Sequence, residues 1–257
     1  MAASAIGLGV TVAAPAGARA AAASRAICVS AAHPLLAARM SGGIAGALRG
    51  RRSAAGLAVA DPGLGLSCRL DAGGHFVAAS AIKVTILAAL LLKAGGAGHL
   101  TAAQRSLARA MITQSSNAAA DRLWAEVGIS GMQRFLNRAG MTQTRLNDAW
   151  GLTELTAADE LTLLRLLTSP GPVLTPASRS YVLTLMAQVI VGQRWGTPAG
   201  LGAFAGPGTA YQMAILTSGN PSMAYGIDTI QGAARVINRA IAEFVAWQRA
   251  HPGATIP

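Results

Sequence analysis

Ser80 and Lys83 stand three residues apart in Ala79-Ser80-Ala81-Ile82-Lys83-Val84, at the entrance of an apolar run that continues to Leu92. Residues i and i+3 share a helix face, so the lysine amine can reach the serine hydroxyl. A helix that is apolar all round belongs in a core. At about 1.5 Å rise per residue this one is roughly 20 Å long, short of a bilayer span. Burying an unpaired ammonium costs several kcal/mol, so desolvation favours a neutral amine able to take a proton. The positive end of the helix dipole acts in the same direction. Peptide N–H groups at the helix entrance can stabilise the oxyanion formed when Ser80 attacks a carbonyl. This is the chemistry of a serine nucleophile with its own base. The alternative is a chance Ser-x-x-Lys with the amine extended to water. With two lysines and 16 serines in 257 residues, chance supplies roughly 0.12 such pairs. Lys93, at the far end of the run, reads as an ordinary helix C-terminal charge.

Ser115-Ser116-Asn117 is a second polar cluster, placed between two helical patterns where a turn can aim side chains into a cleft. A simple helix cap is the competing reading. Ser218-Gly219-Asn220 repeats the spacing but reads as a strand-ending turn. The four histidines form no triad; His75, five residues before Ser80, reads as a surface or cap residue. No zinc-ligand spacing occurs, and neither a metal nor an organic cofactor is expected.

The elements that must position these residues follow from the pattern. His33-Pro34 opens a helix to Leu48, proline suiting the first helical position. Ala54–Ala60 and Leu64–Leu70 read as a hairpin around Asp61-Pro62-Gly63. Thr101 and Gln104 form a capping box before a helix through Ile112. A helix begins at Ala118, a short one spans Met132–Ala139, Thr156 caps another to Leu167, and Thr175-Pro176 opens one to about Val189. Residues 194–208 are glycine-rich and poorly patterned. Tyr211–Thr217 reads as a strand, and a final amphipathic helix runs from Thr229 to Arg249. Helix, hairpin, helical block, strand, helix predicts an α+β or mixed α/β fold in one domain over residues 28–249, with no internal repeat.

The composition is 52% apolar and 4% aromatic, with a net charge of +11 carried by 19 arginines and two lysines. Such a balance can mark a nucleic-acid or membrane-surface partner. The arginines are scattered, however, and the densest run is Arg49-Gly50-Arg51-Arg52 in one loop. A solvated basic surface is the simpler reading, so no nucleic-acid partner, no stable membrane span and a monomer are expected. Ala5–Ala14 has the length of a signal-peptide apolar core, followed by Ala18-Arg19-Ala20 as a small-x-small cleavage pattern, although a basic n-region is lacking. A signal peptide over residues 1–20 and a secreted or cell-envelope location are the expectations. In an exported protein the only cysteines, Cys28 and Cys68, suggest a disulfide; two buried thiols are the alternative.

Taken together, Ser80-Ala81-Ile82-Lys83 and Ser115-Ser116-Asn117, in that order among these elements, resemble the serine β-lactamase and penicillin-binding protein superfamily, closest to class A β-lactamase-like serine hydrolases. The run Met111–Gln114, Ala118–Ala120 and Leu123-Trp124 is also similar, and the likeness covers roughly Cys28 to Arg249. The resemblance implies an antiparallel sheet flanked by helices plus a helical block. It makes Ser80 the acylated nucleophile, Lys83 its base, Ser115 the proton relay to the leaving nitrogen, and Asn117 a ligand of a substrate amide. A β-lactam, or another small-molecule or cell-wall peptide substrate, would be the acyl donor. An oxyanion hole would use the backbone N–H of Ser80 and one from a late strand.

Two features depart from that family. No lysine follows Lys93, so the third motif, Lys-Thr-Gly, cannot exist; Arg194-Trp195-Gly196 is the nearest basic-x-Gly. The interval from Gly196 to Tyr211 is short, and a sheet thinned by a deletion near 196–211 is expected. The loop glutamate that activates water in class A enzymes has no match either. Asp148 and Glu154 lie between Thr142 and Thr156 in no corresponding motif. An exported acyl-serine hydrolase is the leading reading, with acylation favoured over turnover. A non-catalytic penicillin-recognising relic ranks close behind it, and a basic surface protein binding anionic polymers ranks third.

Overall fold

The computed structural model describes residues 27–193, 203–206 and 209–251. The signal-peptide segment and Arg194-Trp195-Gly196 lie outside the described residues. The elements in order are β1 (Ile27–Val29), α1 (Pro34–Leu48), β2 (Ala54–Asp61), β3 (Leu66–Leu70), β4 (Phe76–Val77), α2 (Ile82–Ala94), α3 (Ala102–Thr113), α4 (Asn117–Ala139), β5 (Glu154–Leu155), α5 (Ala157–Thr168), α6 (Pro176–Ala187), β6 (Ala203–Gly206), β7 (Thr209–Ser218) and α7 (Met223–Ala250). An antiparallel sheet in the order β1-β3-β2-β7-β6 stands at the centre. The mixed α/β class with helices flanking an antiparallel sheet is therefore the observed fold.

The sheet is covered on both faces, and the strand sequences say how. In β2 the large side chains Leu57 and Val59 point into a cluster with Met40 and Ile44 of α1 and Ile237, Ile241 and Phe244 of α7. The alternate residues Ala58 and Ala60, with Ala214 of β7, meet Ala157 and Leu161 of α5. Methyl-sized groups on that face let α5 lie close against the strands. Strands buried on both sides lose the apolar–polar alternation of a half-exposed sheet.

Beyond α5 lies the helical block, a single core built on α2, α3, α4 and α6. Every residue of α2 from Ile82 to Leu91 is buried, as a helix apolar all round requires. α5 is the wedge between the two cores: Ala157 and Leu161 face the sheet, while Leu163, Leu164 and Leu167 face the block.

Cys28 and Cys68 are disulfide-bonded, directly opposed in the β1–β3 register. The short β1 is too brief to announce itself by pattern. Leu64 belongs to the hairpin turn, where its N–H is accepted by Asp61 Oδ1, so β3 starts two residues later than the pattern predicts. The two helices expected on either side of Gly128 are both present, α4 running through them across a non-helical kink at which Gly128 adopts φ 70°, a value glycine reaches without steric cost. α7 starts at Met223, earlier than expected, because Ser222 accepts the N–H of Tyr225 as an N-cap. The glycine-rich stretch contributes β6, a four-residue strand against the start of β7; most of the interval where a deletion is expected lies outside the described residues.

Candidate active site

The approach to Ser80 is fixed from two directions. β4 pairs with β5, and the N–H of Ala78 is bonded to the carbonyl of Thr153 at 2.7 Å. Ser80 then lies in a 3-10 turn over Ala79–Ala81, directly ahead of α2, at the helix entrance where the sequence places it. Ala79 is held at φ 44°, a left-handed value that costs a residue with a Cβ about 1–2 kcal/mol. Gly56 of β2 faces Phe76 of β4 closely enough that a Cβ there would come within 2.5 Å of the ring, so glycine is required at that crossing. The loop that supplies Thr153 is pinned in turn. Asp159 Oδ2 accepts the N–H of Gln143 and the N–H and hydroxyl of Thr144 at 2.7–2.9 Å.

Lys83 sits one turn into the block, 2% exposed, with its amine directed at four oxygens. Nζ lies 3.1 Å from Ser80 Oγ, 2.9 Å from Ser115 Oγ, 2.7 Å from the Ser115 carbonyl and 2.8 Å from Asn117 Oδ1. Ser115 Oγ and Ser80 Oγ are themselves 2.9 Å apart. Ser115 occupies the turn between α3 and α4 at φ 55°, a strained backbone of the kind that re-aims a side chain. Ser116 accepts the N–H of Ala119 as the N-cap of α4. The cluster is thus both a cap and a site: its middle residue starts the helix, and its outer residues face the amine. All four residues expected at the site meet around one nitrogen.

Burial pushes the Lys83 amine below its ordinary pKa, and the charge of Asp121 partly offsets that. Asp121 and Trp150 carry no motif, and the sequence reading passed over them. Trp150 lies in a short turn of the 141–156 loop, its ring centroid 5.0 Å from Lys83 Nζ and its Nε1 donating to Asp121 Oδ1 at 2.7 Å. The i, i+4 spacing of Asn117 and Asp121 at a helix start was the one signal available for Asp121.

The other candidates are engaged elsewhere. His75 Nε2 bonds the carbonyl of Gln143 at 2.8 Å, Glu154 pairs with Arg145 at 3.3 Å, and Lys93 bonds the carbonyl of Glu126. Asp148 is exposed, and its carbonyl accepts Trp124 Nε1. Among the described residues no group of three or more His, Cys, Asp or Glu could hold a metal ion, and no helix is long and apolar enough to cross a membrane.

Comparison with known proteins gives the geometry its context. A model of the β-lactamase enzyme family matches residues 93–197, a span that includes Ser115 and Asn117 and begins after Lys83. No curated protein matches the chain. Among solved structures, a class A β-lactamase from Bacteroides cellulosilyticus superposes with a TM-score of 0.68 at 15% identity, covering 80% of this chain and 98% of the other. The class A β-lactamase of Mycobacterium abscessus gives 0.66 at 20% identity over 77% and 98%. The penicillin-binding protein PBP-A gives 0.69 at 21% identity over 81% and 97%. The chain has the fold of the class A β-lactamase and penicillin-binding protein superfamily of serine hydrolases, and its central residues match the β-lactamase enzyme family.

Proposed function

We propose that this protein is an exported serine acyl-transfer enzyme of β-lactamase-like type, acylated at Ser80 by a lactam or amide carbonyl. The observation that carries this reading is the buried amine of Lys83 within hydrogen-bond reach of both Ser80 and Ser115. Two of its four neighbours, the Ser115 carbonyl and Asn117 Oδ1, can only accept. A neutral amine has two N–H donors and one lone pair. The donors satisfy those two oxygens, and the lone pair is left facing the serine hydroxyls. Burial, which lowers the pKa, favours that state.

In the reaction, Ser80 Oγ attacks the carbonyl carbon while its proton passes to Lys83 Nζ. The carbonyl C–N bond then breaks, and the proton travels through Ser115 Oγ to the leaving nitrogen. Lys83 ends neutral and Ser80 carries the acyl group. Asn117 is the substrate-amide ligand, and the N–H of Ser80 one oxyanion donor. A PBP-A variant was solved as an acyl-enzyme complex with penicillin G, at 19% identity and a TM-score of 0.69; the same class of acyl donor suits this site. Glu154 is paired with Arg145 and Asp148 is exposed, and neither stands in the motif of the class A water-activating glutamate, so the acyl-enzyme is expected to persist.

A chromogenic cephalosporin tests the reading: one equivalent of product per protein in a burst, then slow turnover. Lys83→Met, close in shape, lowers the burst rate by about 10²–10⁴-fold. A folded Lys83→Met protein with the wild-type burst rate would remove the amine from the mechanism. The second reading, a penicillin-recognising relic, is favoured by one observation: no lysine follows Lys93, so the third family motif is missing. Binding without a burst identifies it.

A further inference from the structure

Lys83 is covered although Ser80 beside it is exposed, and the group recorded over the amine is an indole. Trp150 is half-buried, packed against the helical core and 5.0 Å from Nζ. Its indole donates from Nε1 to Asp121 Oδ1 at 2.7 Å. Asp121 lies on the face of α4 that carries Asn117, one turn further along. The first turns of α4 therefore grip the amine directly through Asn117 and its cover through Asp121. We propose that Asp121 and Trp150 are a positioning pair for Lys83, the carboxylate tethering the indole and the indole holding the amine dry and aimed at Ser80 and Ser115. This rests on the Ser80–Lys83 reading above.

The charges around the amine narrow the cause of any pH effect. Asp121 is the charge whose attraction reaches Lys83. On the loop, Glu154 is paired with Arg145 and Asp148 is exposed. On α4, Arg122 is exposed, and Glu126 bonds Gln104 and Lys93 at the far end of α2. On α6, Arg179 bonds the carbonyl of Leu174.

The rate of penicillin G adduct formation, followed by rapid quench and intact mass from pH 5 to pH 10, separates the two roles. Acylation needs the neutral amine, so the rate rises with pH through the Lys83 titration. Asp121→Asn keeps an oxygen for the indole N–H and removes the charge, and the midpoint moves to lower pH. Trp150→Phe keeps a ring and the charge but loses the tether; the plateau falls roughly tenfold without a fall in midpoint. A folded Asp121→Asn protein with the wild-type midpoint, or Trp150→Phe with the wild-type plateau, overturns the pair while leaving Ser80 and Lys83 in place. Should Asp121→Asn fail to fold, Trp150→Phe decides alone. A wild-type protein that forms no adduct at any pH overturns the underlying reading and the pair with it.

Discussion

Replacing Glu160 with glutamine removes the most strongly perturbed carboxyl described in the fold, and the consequence for stability follows from its position. Glu160 precedes Leu163, Leu164 and Leu167 at helical spacing, so it heads the stripe of α5 that faces the helical block. It is buried, its Oε1 has no hydrogen-bond partner, and its neighbour in sequence is the buried Asp159. Desolvation first, and the Asp159 charge second, push its pKa up from 4.5 to about 8. The unfolded chain ionises this group near pH 4.5, whereas the folded protein keeps it protonated until about pH 8. Between those values unfolding releases a proton, so raising the pH favours the unfolded state by up to about 1.4 kcal/mol per pH unit. From pH 5 to pH 8 the wild type should lose about 3.5 kcal/mol relative to Glu160→Gln. A glutamine also buries an unpaired polar group, but that cost is constant with pH. Urea unfolding of both proteins at half-unit intervals measures the difference directly. At an m-value of about 2 kcal/mol/M, the two midpoints should separate by about 2 M over this range. Parallel midpoint-versus-pH curves would refute the reasoning, because they would mean that Glu160 is ionised in the folded protein.

Two further outcomes test the scaffold. Reduction of the Cys28–Cys68 disulfide, which closes a loop with a sequence separation of 40, should cost about 4 kcal/mol in the chain-entropy treatment; urea midpoints with and without a thiol reductant measure it. Thr101→Ala breaks a complete capping box, in which Thr101 Oγ1 accepts the N–H of Gln104 at 3.1 Å and Gln104 Oε1 accepts the N–H of Thr101 at 2.7 Å. It should cost about 1 kcal/mol in thermal unfolding and leave acylation of Ser80 unchanged.

What was legible in the chain depended on how local the cause was. The buried helix declared itself through an unbroken apolar run, and Lys83 through being one of only two lysines. Thr101, Thr156 and Thr175 fixed helix starts because a cap is a local hydrogen bond. Ser222 went unread, since Ser218-Gly219-Asn220-Pro221 just before it is already a complete turn signal. β1, three residues long, is held by a cross-strand partner some forty residues away, and β6, four residues long, by the start of β7 just after it, rather than by their own pattern. Gly128 breaks the helical dihedrals inside α4, so the two helical stretches read on either side of it are both present. The indole over Lys83 could not be read at all: its position depends on a loop folding back 29 residues to meet Asp121.

The central claim is that Ser80 becomes acylated. Intact-protein mass after incubation with penicillin G, beside a Ser80→Ala control shown to be folded, tests it most directly. The account predicts a mass increase of one penicillin on the wild type, persisting because the loop glutamate that activates water in class A enzymes has no match in this sequence, and no increase on the variant. An unmodified, folded wild type with no ring-opened product would contradict it, as would equal labelling of the Ser80→Ala protein.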